Sequence, residues 1–197
     1  MSDLPQKPDR ASLRMRDMIG AVVVLLLIIG AVLAFYGGCE FSPGGPTVDP
    51  DTAPSADASG ELERAARSAA FAVREPDVPD GWRPNSTSTT AVGAGATASV
   101  VVRVGYVTTA GAFLQLSQSG GDAGEVVAKE TGQAEPPAAT GTVDVGGVTW
   151  TTYPGRRDED AWVADLDGVV MLVTGSAREA EFRQLATAAQ EAAPLPR

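Results

Sequence analysis

The sequence predicts an α+β domain, a mostly antiparallel sheet packed by helices, behind one N-terminal transmembrane helix. Three observations predict it. Residues 18–36, MIGAVVVLLLIIGAVLAFY, form a run of 19 without a charge. The C-terminal half alternates short β-branched segments with Gly-Gly and Asp-Gly pairs, the dipeptides favoured in two-residue hairpin turns. The last segment before Pro194 carries apolar residues at helical spacing.

As a helix, the uncharged run is ~28 Å long at ~1.5 Å per residue, close to the ~30 Å hydrocarbon core of a bilayer. Lys7, Arg10, Arg14 and Arg16 precede it, and no basic residue follows until Arg64. The positive-inside rule then leaves residues 1–17 as a cytoplasmic tail and puts everything after Tyr36 outside, with Phe35 and Tyr36 as interfacial anchors. A signal peptide has a shorter apolar core, typically ~7–15 residues. Gly37-Gly38-Cys39 invites lipoprotein processing, although Tyr36 stands where an aliphatic residue is usual. Whether Cys39 is lipidated stays open; its other reading is a free thiol at the outer membrane surface. Residues 37–60 are a tether, rich in Pro, Gly, Ser, Ala and Asp and too poor in apolar residues to build a core.

Residues 61–193 form the extracytoplasmic domain. Residues 61–70 are strong helix formers. Pro76, Pro79 and Asp80-Gly81 mark a turn, and Trp82 opens a strand to Thr90. Residues 99–107 form a strand with Val100, Val102, Val104 and Tyr106 on one face and Val101, Arg103 and Gly105 on the other. It makes a hairpin with residues 112–117. Asp122 N-caps a short helix over 125–130. Strands 142–145 and 148–153 turn at Gly146-Gly147, and strands 161–166 and 169–174 at Asp167-Gly168. Ser176 and Glu179 read as a capping box that opens a helix reaching about Ala192, with Phe182, Leu185, Ala186 and Ala189 inward. Seven strands joined mainly by hairpins make the sheet largely antiparallel.

Composition limits the chemistry. The 197 residues include no histidine and one cysteine, and the net charge is −10. These counts exclude His-based acid/base catalysis, His-ligated metals, a Cys-rich zinc site and an intrachain disulfide. An acidic chain is a poor partner for nucleic acid. After Tyr36 come 11 basic and 22 acidic residues, a net −11 that opposes a second contact with an anionic membrane surface.

Each motif carries a plainer reading beside its chemical one. The stretch from Gly93 to Ala98 fits a relaxed dinucleotide pattern, but a strand follows it where a helix is needed, so it reads as a loop. Asp165 to Gly168 resembles part of a calcium loop whose first and twelfth positions, Val163 and Thr174, offer no carboxylate. Asp158, Glu159 and Asp160 follow Arg156 and Arg157 and read as a charge-paired loop. Asn85 to Thr90 holds an Asn-Ser-Thr sequon and reads as the solvent face of an edge strand. Paired carboxylates for glycan hydrolysis have no recognisable frame. Trp82, Trp150 and Trp162 read first as core; two of them exposed side by side would mark an interaction surface.

Several segments together are similar to a known family. They are Arg16-Asp17-Met18, Phe41 to Pro50, Val78-Pro79-Asp80-Gly81-Trp82, Val104-Gly105-Tyr106-Val107-Thr108, Val145 to Trp150, and Val173 to Ala177. In that order they resemble an actinobacterial membrane-anchored family catalogued as domain of unknown function 4245. The resemblance implies a single-pass envelope protein and implies no catalytic residue. The 13 Arg against 2 Lys suit a GC-rich genome. The Pro-x-Gly-Trp turn before a sheet closed by a C-terminal helix is similar to the PsbP/Mog1-like fold, at the level of fold alone.

The expectation is a membrane-anchored, non-catalytic interaction or assembly module of the cell envelope. It needs no cofactor or metal, and its partner is another envelope protein. The alternative is a carrier or sensor of a small apolar or lipidic ligand held between sheet and helices.

Overall fold

The computed structural model describes residues 10–35, 55–157 and 159–197. Residues 1–9 of the expected tail, Tyr36, residues 37–54 of the expected tether with Cys39, and Asp158 lie outside the described residues. The chain divides into two units, residues 1–47 and 48–197.

The described part of the first unit is one helix, α1 (Arg10–Phe35). It holds no acidic residue in its first turn and no basic residue in its last. Between Met18 and Ile29 its large apolar side chains are 44% to 68% exposed. Among the described residues no helix is long and apolar enough to cross a membrane. The side chains described on α1 are those of residues 18–29 and 31, fewer than the ~20 a span requires.

The second unit is an α+β domain. Its elements are α2 (Ala58–Ser68), β1 (Arg83–Val92), β2 (Ser99–Val107), β3 (Phe113–Ser119), α3 (Ala123–Thr131), β4 (Gly141–Val145), β5 (Val148–Pro154), β6 (Asp160–Leu166), β7 (Val169–Gly175) and α4 (Glu179–Glu191). The strands make one seven-stranded sheet in the order β1-β2-β3-β7-β6-β5-β4. Every pairing is antiparallel. Two meanders, β1-β2-β3 and β4-β5-β6-β7, therefore join along β3 and β7.

Local chemistry sets the turns. Gly146 and Gly147 have φ of 59° and 88°, and Asp167 and Gly168 have 56° and 81°. Such positive pairs match the twist of the flanking strands. Asp144 Oδ1 accepts from Gly147 N at 3.2 Å, and Asp165 Oδ1 from Gly168 N at 2.8 Å. Asp122 caps α3 by accepting from Glu125 N at 3.0 Å, and Gly132 ends that helix in the left-handed conformation.

Among the boundaries that depart from expectation, three follow from local contacts or turn structure. The first domain helix begins at Ala58 instead of Glu61, because Asp57 supplies its N-cap and accepts from Gly60 N at 3.0 Å. β1 reaches Val92, two residues past the expected end at Thr90, and Gly95–Thr97 coils into a short 3-10 turn before β2. The N-cap of the last helix sits two residues later than Ser176. Ser176 is held by β3 instead: its hydroxyl accepts from Phe113 N at 3.2 Å, and its N–H donates to Phe113 O at 2.9 Å. Arg178 becomes the N-cap, and Glu181 accepts from its N–H at 3.1 Å.

The sheet is covered on both sides. One face buries Leu62, Ala65 and Ala66 of α2 and Phe182, Leu185, Ala186 and Ala189 of α4 against Val102, Val104, Leu114, Leu116, Met171 and Val173. The other buries Val126 and Val127 of α3 against Val92, Val101, Val163, Val170 and Leu172. The expected alternation along β2 is observed: Val102, Val104 and Tyr106 face α2 and α4, and Val101 faces α3. Between β7 and β3 the backbones approach so closely that a Cβ on Gly175 would collide with Phe113 O.

Candidate functional site

The three tryptophans do not form an exposed surface. Trp82, Trp150 and Trp162 are 8%, 0% and 3% exposed, and all belong to the core between the sheet and α2/α4. The side-by-side exposure that would have marked an interaction surface is absent, so these residues are removed from the candidate site. The physical reason is the size of the helix-covered face: large rings fill the space under α4. Trp162 packs on Phe182 with ring centroids 5.1 Å apart, and the Arg183 guanidinium lies 5.9 Å from the Trp162 ring. Trp150 Nε1 donates to Gln190 Oε1 at 2.7 Å, which satisfies its buried donor. Trp82 follows a tight turn closed by its own N–H on Pro79 O at 3.1 Å, with Gly81 at φ 85°.

The motifs take structural places. The stretch from Gly93 to Ala98 is the β1–β2 connection, with no helix at its end. Asp165 to Gly168 is the β6–β7 turn. Glu159 sits in the β5–β6 connection, where its N–H donates to Arg156 O at 2.9 Å. Among the described residues no three His, Cys, Asp or Glu side chains gather as a metal site would require.

Two buried polar clusters were not expected. On the α3 face Arg103 reaches Glu130, with Nε 3.0 Å from both carboxylate oxygens. Glu130 Oε2 also accepts from Gln115 Nε2 at 2.8 Å and Ser117 Oγ at 2.9 Å. Arg103 Nη1 donates to Thr90 Oγ1 at 2.8 Å. On the other face Gln118 clasps the backbone of Arg74, accepting from its N–H and donating to its carbonyl, both at 2.8 Å. The Arg74 side chain ties the chain end to the β6–β7 turn through Ala192 O at 2.8 Å and Asp167 Oδ2 at 3.0 Å. The Arg103–Glu130 cluster is paired internally and reads as a lock on the fold, whereas Arg74 keeps its Nε buried without a hydrogen-bond partner and pairs with an Asp167 side chain that is 90% exposed. The Tyr106 hydroxyl is pushed well above its ordinary pKa, by burial first and the nearby Glu75 carboxylate second, and so stays protonated.

The accessible features are clefts and edges. A cleft of about 500 Å³ lies between Asp77–Asp80 and α4 and is lined by Val78, Pro79, Arg183, Gln184, Thr187 and Glu191. A second, of about 410 Å³, runs past Phe71, Ser99, Asp167 and Arg197. Both are open and mixed in polarity, unlike the apolar chamber that a lipidic ligand would require. The two sheet edges differ. β4 is five residues long, and α4 caps it through Arg183 Nη1 on Asp144 O at 2.7 Å and Gln190 Nε2 on Val145 O at 3.0 Å. β1 is ten residues long, and Ser86, Ser88, Thr89, Thr90 and Ala91 are exposed. The sequon residue Asn85 sits at the bulge where β1 changes register.

Comparison with known proteins gives one finding. The family described as "Protein of unknown function (DUF4245)" matches residues 10–189, and the chain belongs to it. No curated protein and no solved structure matches the chain.

Proposed function

We propose, with membership of this family as the premise, that the chain is a single-pass envelope protein whose domain works as a non-catalytic interaction or assembly module. In this reading α1 crosses the cell membrane with its N-terminus in the cytoplasm, and the α+β domain stands outside on its tether. One observation carries the proposal: apolar side chains from Met18 to Ile29 stand 44% to 68% exposed along one unbroken helix. Water would charge ~25 cal/mol for each Å² of that surface, and a bilayer would not. The uncharged run to Tyr36 and the four basic residues before it support the span and its orientation.

The interaction half of the reading rests on the domain surface. Its core is tryptophan-filled, its most buried ion pair, Arg103 with Glu130, is satisfied internally, and its clefts are open. An anchored module needs only such a surface. The likeness of the Pro-x-Gly-Trp turn and closing helix to the PsbP/Mog1-like fold, whose members are often adaptors, points the same way by analogy. The Arg-rich composition supports an actinobacterial source. The carrier reading draws no support from clefts lined by Arg183, Glu191 and Asp77.

The experiment is membrane fractionation of cells making the full chain, followed by an alkaline carbonate wash and external protease. The reading expects the chain to stay with the washed membrane and the protease to remove the domain. Release by carbonate, or a domain protected in intact spheroplasts, contradicts it. Turnover of an envelope substrate by the purified chain contradicts the non-catalytic half.

A further inference from the structure

We infer that the edge of β1 is a self-pairing surface, through which a second copy of this chain extends the sheet. The inference rests on the anchored-module reading and names its partner. Its first support is the backbone. Pro84 turns its carbonyl away from β2 and accepts from Ala56 N at 2.9 Å. The register passes a bulge at Asn85 and pairs Ser86 with Gly105. Groups in an antiparallel ladder alternate between inward and outward. Thr87, Thr89 and Ala91, opposite Val104, Val102 and Val100, therefore turn their N–H and C=O groups outward. Among the described residues these outward groups have no backbone partner.

The second support is the absence of the usual edge defences. Natural edges carry charge, proline or a covering element. The segment from Ser86 to Val92 has no charge and no proline. The opposite edge, β4, is short and capped by Arg183 and Gln190. The third support is self-complementarity. A two-fold axis at Thr89, the midpoint of this segment, sets Thr89 against Thr89 of the second copy and Thr87 against its Ala91. Every outward N–H then meets an outward C=O, as an isologous interface demands. The side chains are small, and the α2 charges that line a cleft with Thr89, Glu61 and Arg64, are already paired with each other. Two domains of net negative charge thus meet at their neutral strip. Anchoring both copies in one membrane raises their effective concentration to roughly the millimolar range. The chain's own residues 37–54 are weaker candidates, since Pro43, Pro46, Pro50 and Pro54 fall in or beside that stretch and cannot donate to a ladder.

The test uses the full chain on a Cys39→Ser background in proteoliposomes. The proposed register puts Ser88 opposite Thr90 of the second copy in a non-hydrogen-bonded pair, with Cα atoms ~4.5 Å apart, within disulfide reach. Ser88→Cys and Thr90→Cys chains are oxidised alone and mixed. The expected result is a disulfide dimer formed several-fold more in the mixture than in either alone. A second measurement needs no cysteine: native mass spectrometry of the unsubstituted chain and of Thr89→Pro. The Thr89 N–H points away from β2, so proline spares the domain's own ladder and should abolish the dimer. Equal crosslinking in all three samples, an unsubstituted chain that is monomeric, or a Thr89→Pro chain that still dimerises overturns the inference. So does an edge protected from hydrogen exchange in a monomer, which would assign it to residues 37–54, or a foreign protein crosslinked at residue 88. A chain that resists carbonate but does not pair fails here and leaves the anchored module standing. One that pairs but washes off the membrane fails there instead.

Discussion

Arg103 and Glu130 meet across the α3 face of the sheet with side chains 13% and 3% exposed, the guanidinium Nε 3.0 Å from each carboxylate oxygen. Arg103 comes from β2, and Glu130 from the end of α3. The pair fixes where the helix lands on the sheet. Gln115, Ser117 and Thr90 take up further hydrogen bonds, which offsets the cost of removing two charges from water.

Removing one partner should therefore cost far more than removing both. Glu130→Ala leaves the Arg103 charge buried without its counterion and should lower stability by about 3–5 kcal/mol. Arg103→Met with Glu130→Leu should recover a large part of that loss. Urea unfolding of the three variants gives the comparison, and equal losses in single and double variants would reject the pair as a lock.

Trp150 is the most deeply buried of the three tryptophans, and its indole N–H is held by Gln190, which also caps the β4 edge at Val145 O. Trp150→Ala should cost about 3–5 kcal/mol by opening a cavity under α4. Gln190→Ala keeps the ring but strands its donor and should cost about 1–3 kcal/mol. Thermal unfolding ranks the two variants, and the account requires the larger loss at Trp150.

Acid should weaken the domain through Glu181. Burial pushes this carboxyl up, yet the Thr108 hydroxyl, the Arg178 N–H and the Arg178 charge outweigh burial and hold it below the ordinary carboxylate value. A folded pKa below the unfolded one stabilises the domain above the unfolded value, about 4.3 for Glu, and that contribution is lost as pH falls through the folded pKa. Glu181→Gln should flatten the fall in stability below about pH 4.3 and lower stability at neutral pH. Urea midpoints taken from neutral to acid pH check both signs.

A charge in the apolar run tests the anchor without touching the domain. Leu26→Arg places a guanidinium near the middle of residues 18–36 at an insertion cost of about 2.5–3.5 kcal/mol. The variant should shift from the washed membrane fraction toward the soluble or degraded pool, with the domain's unfolding midpoint unchanged. Undiminished retention in the membrane would argue against a span.

Local chemistry made the elements readable, and long-range contacts hid the rest. Gly146-Gly147 and Asp167-Gly168 announce their hairpins because few other pairs accept positive φ at both positions. Asp122 announces α3, and the spacing of Phe182, Leu185, Ala186 and Ala189 gives the inner face of α4. Ser176 misled because its hydroxyl, suited to a cap, is claimed by Phe113 from a distant strand. The β3–β7 junction and the placing of α3 on the opposite face from α2 and α4 depend on contacts that no local pattern encodes. Arg103 on a β2 face was a visible sign of a buried partner, but nothing near it in sequence pointed to Glu130. The tryptophans were legible as large apolar payload, and their burial followed from the room under α4. The edge position of β1 was readable too, because an uncharged hydroxyl-rich run from Asn85 to Thr90 suits the solvent face of an edge strand, and β1 stands first in the sheet order.

The central claim, a domain held outside the cell by α1, is tested most directly at Cys39, the chain's one cysteine and three residues beyond the apolar run. Intact cells making the full chain are treated with a membrane-impermeant maleimide, and the chain is weighed by mass spectrometry. The account predicts a chain that keeps residues 1–38 and gains one label without lysis. Labelling that requires lysis, or a mature chain that has lost residues 1–38, contradicts it.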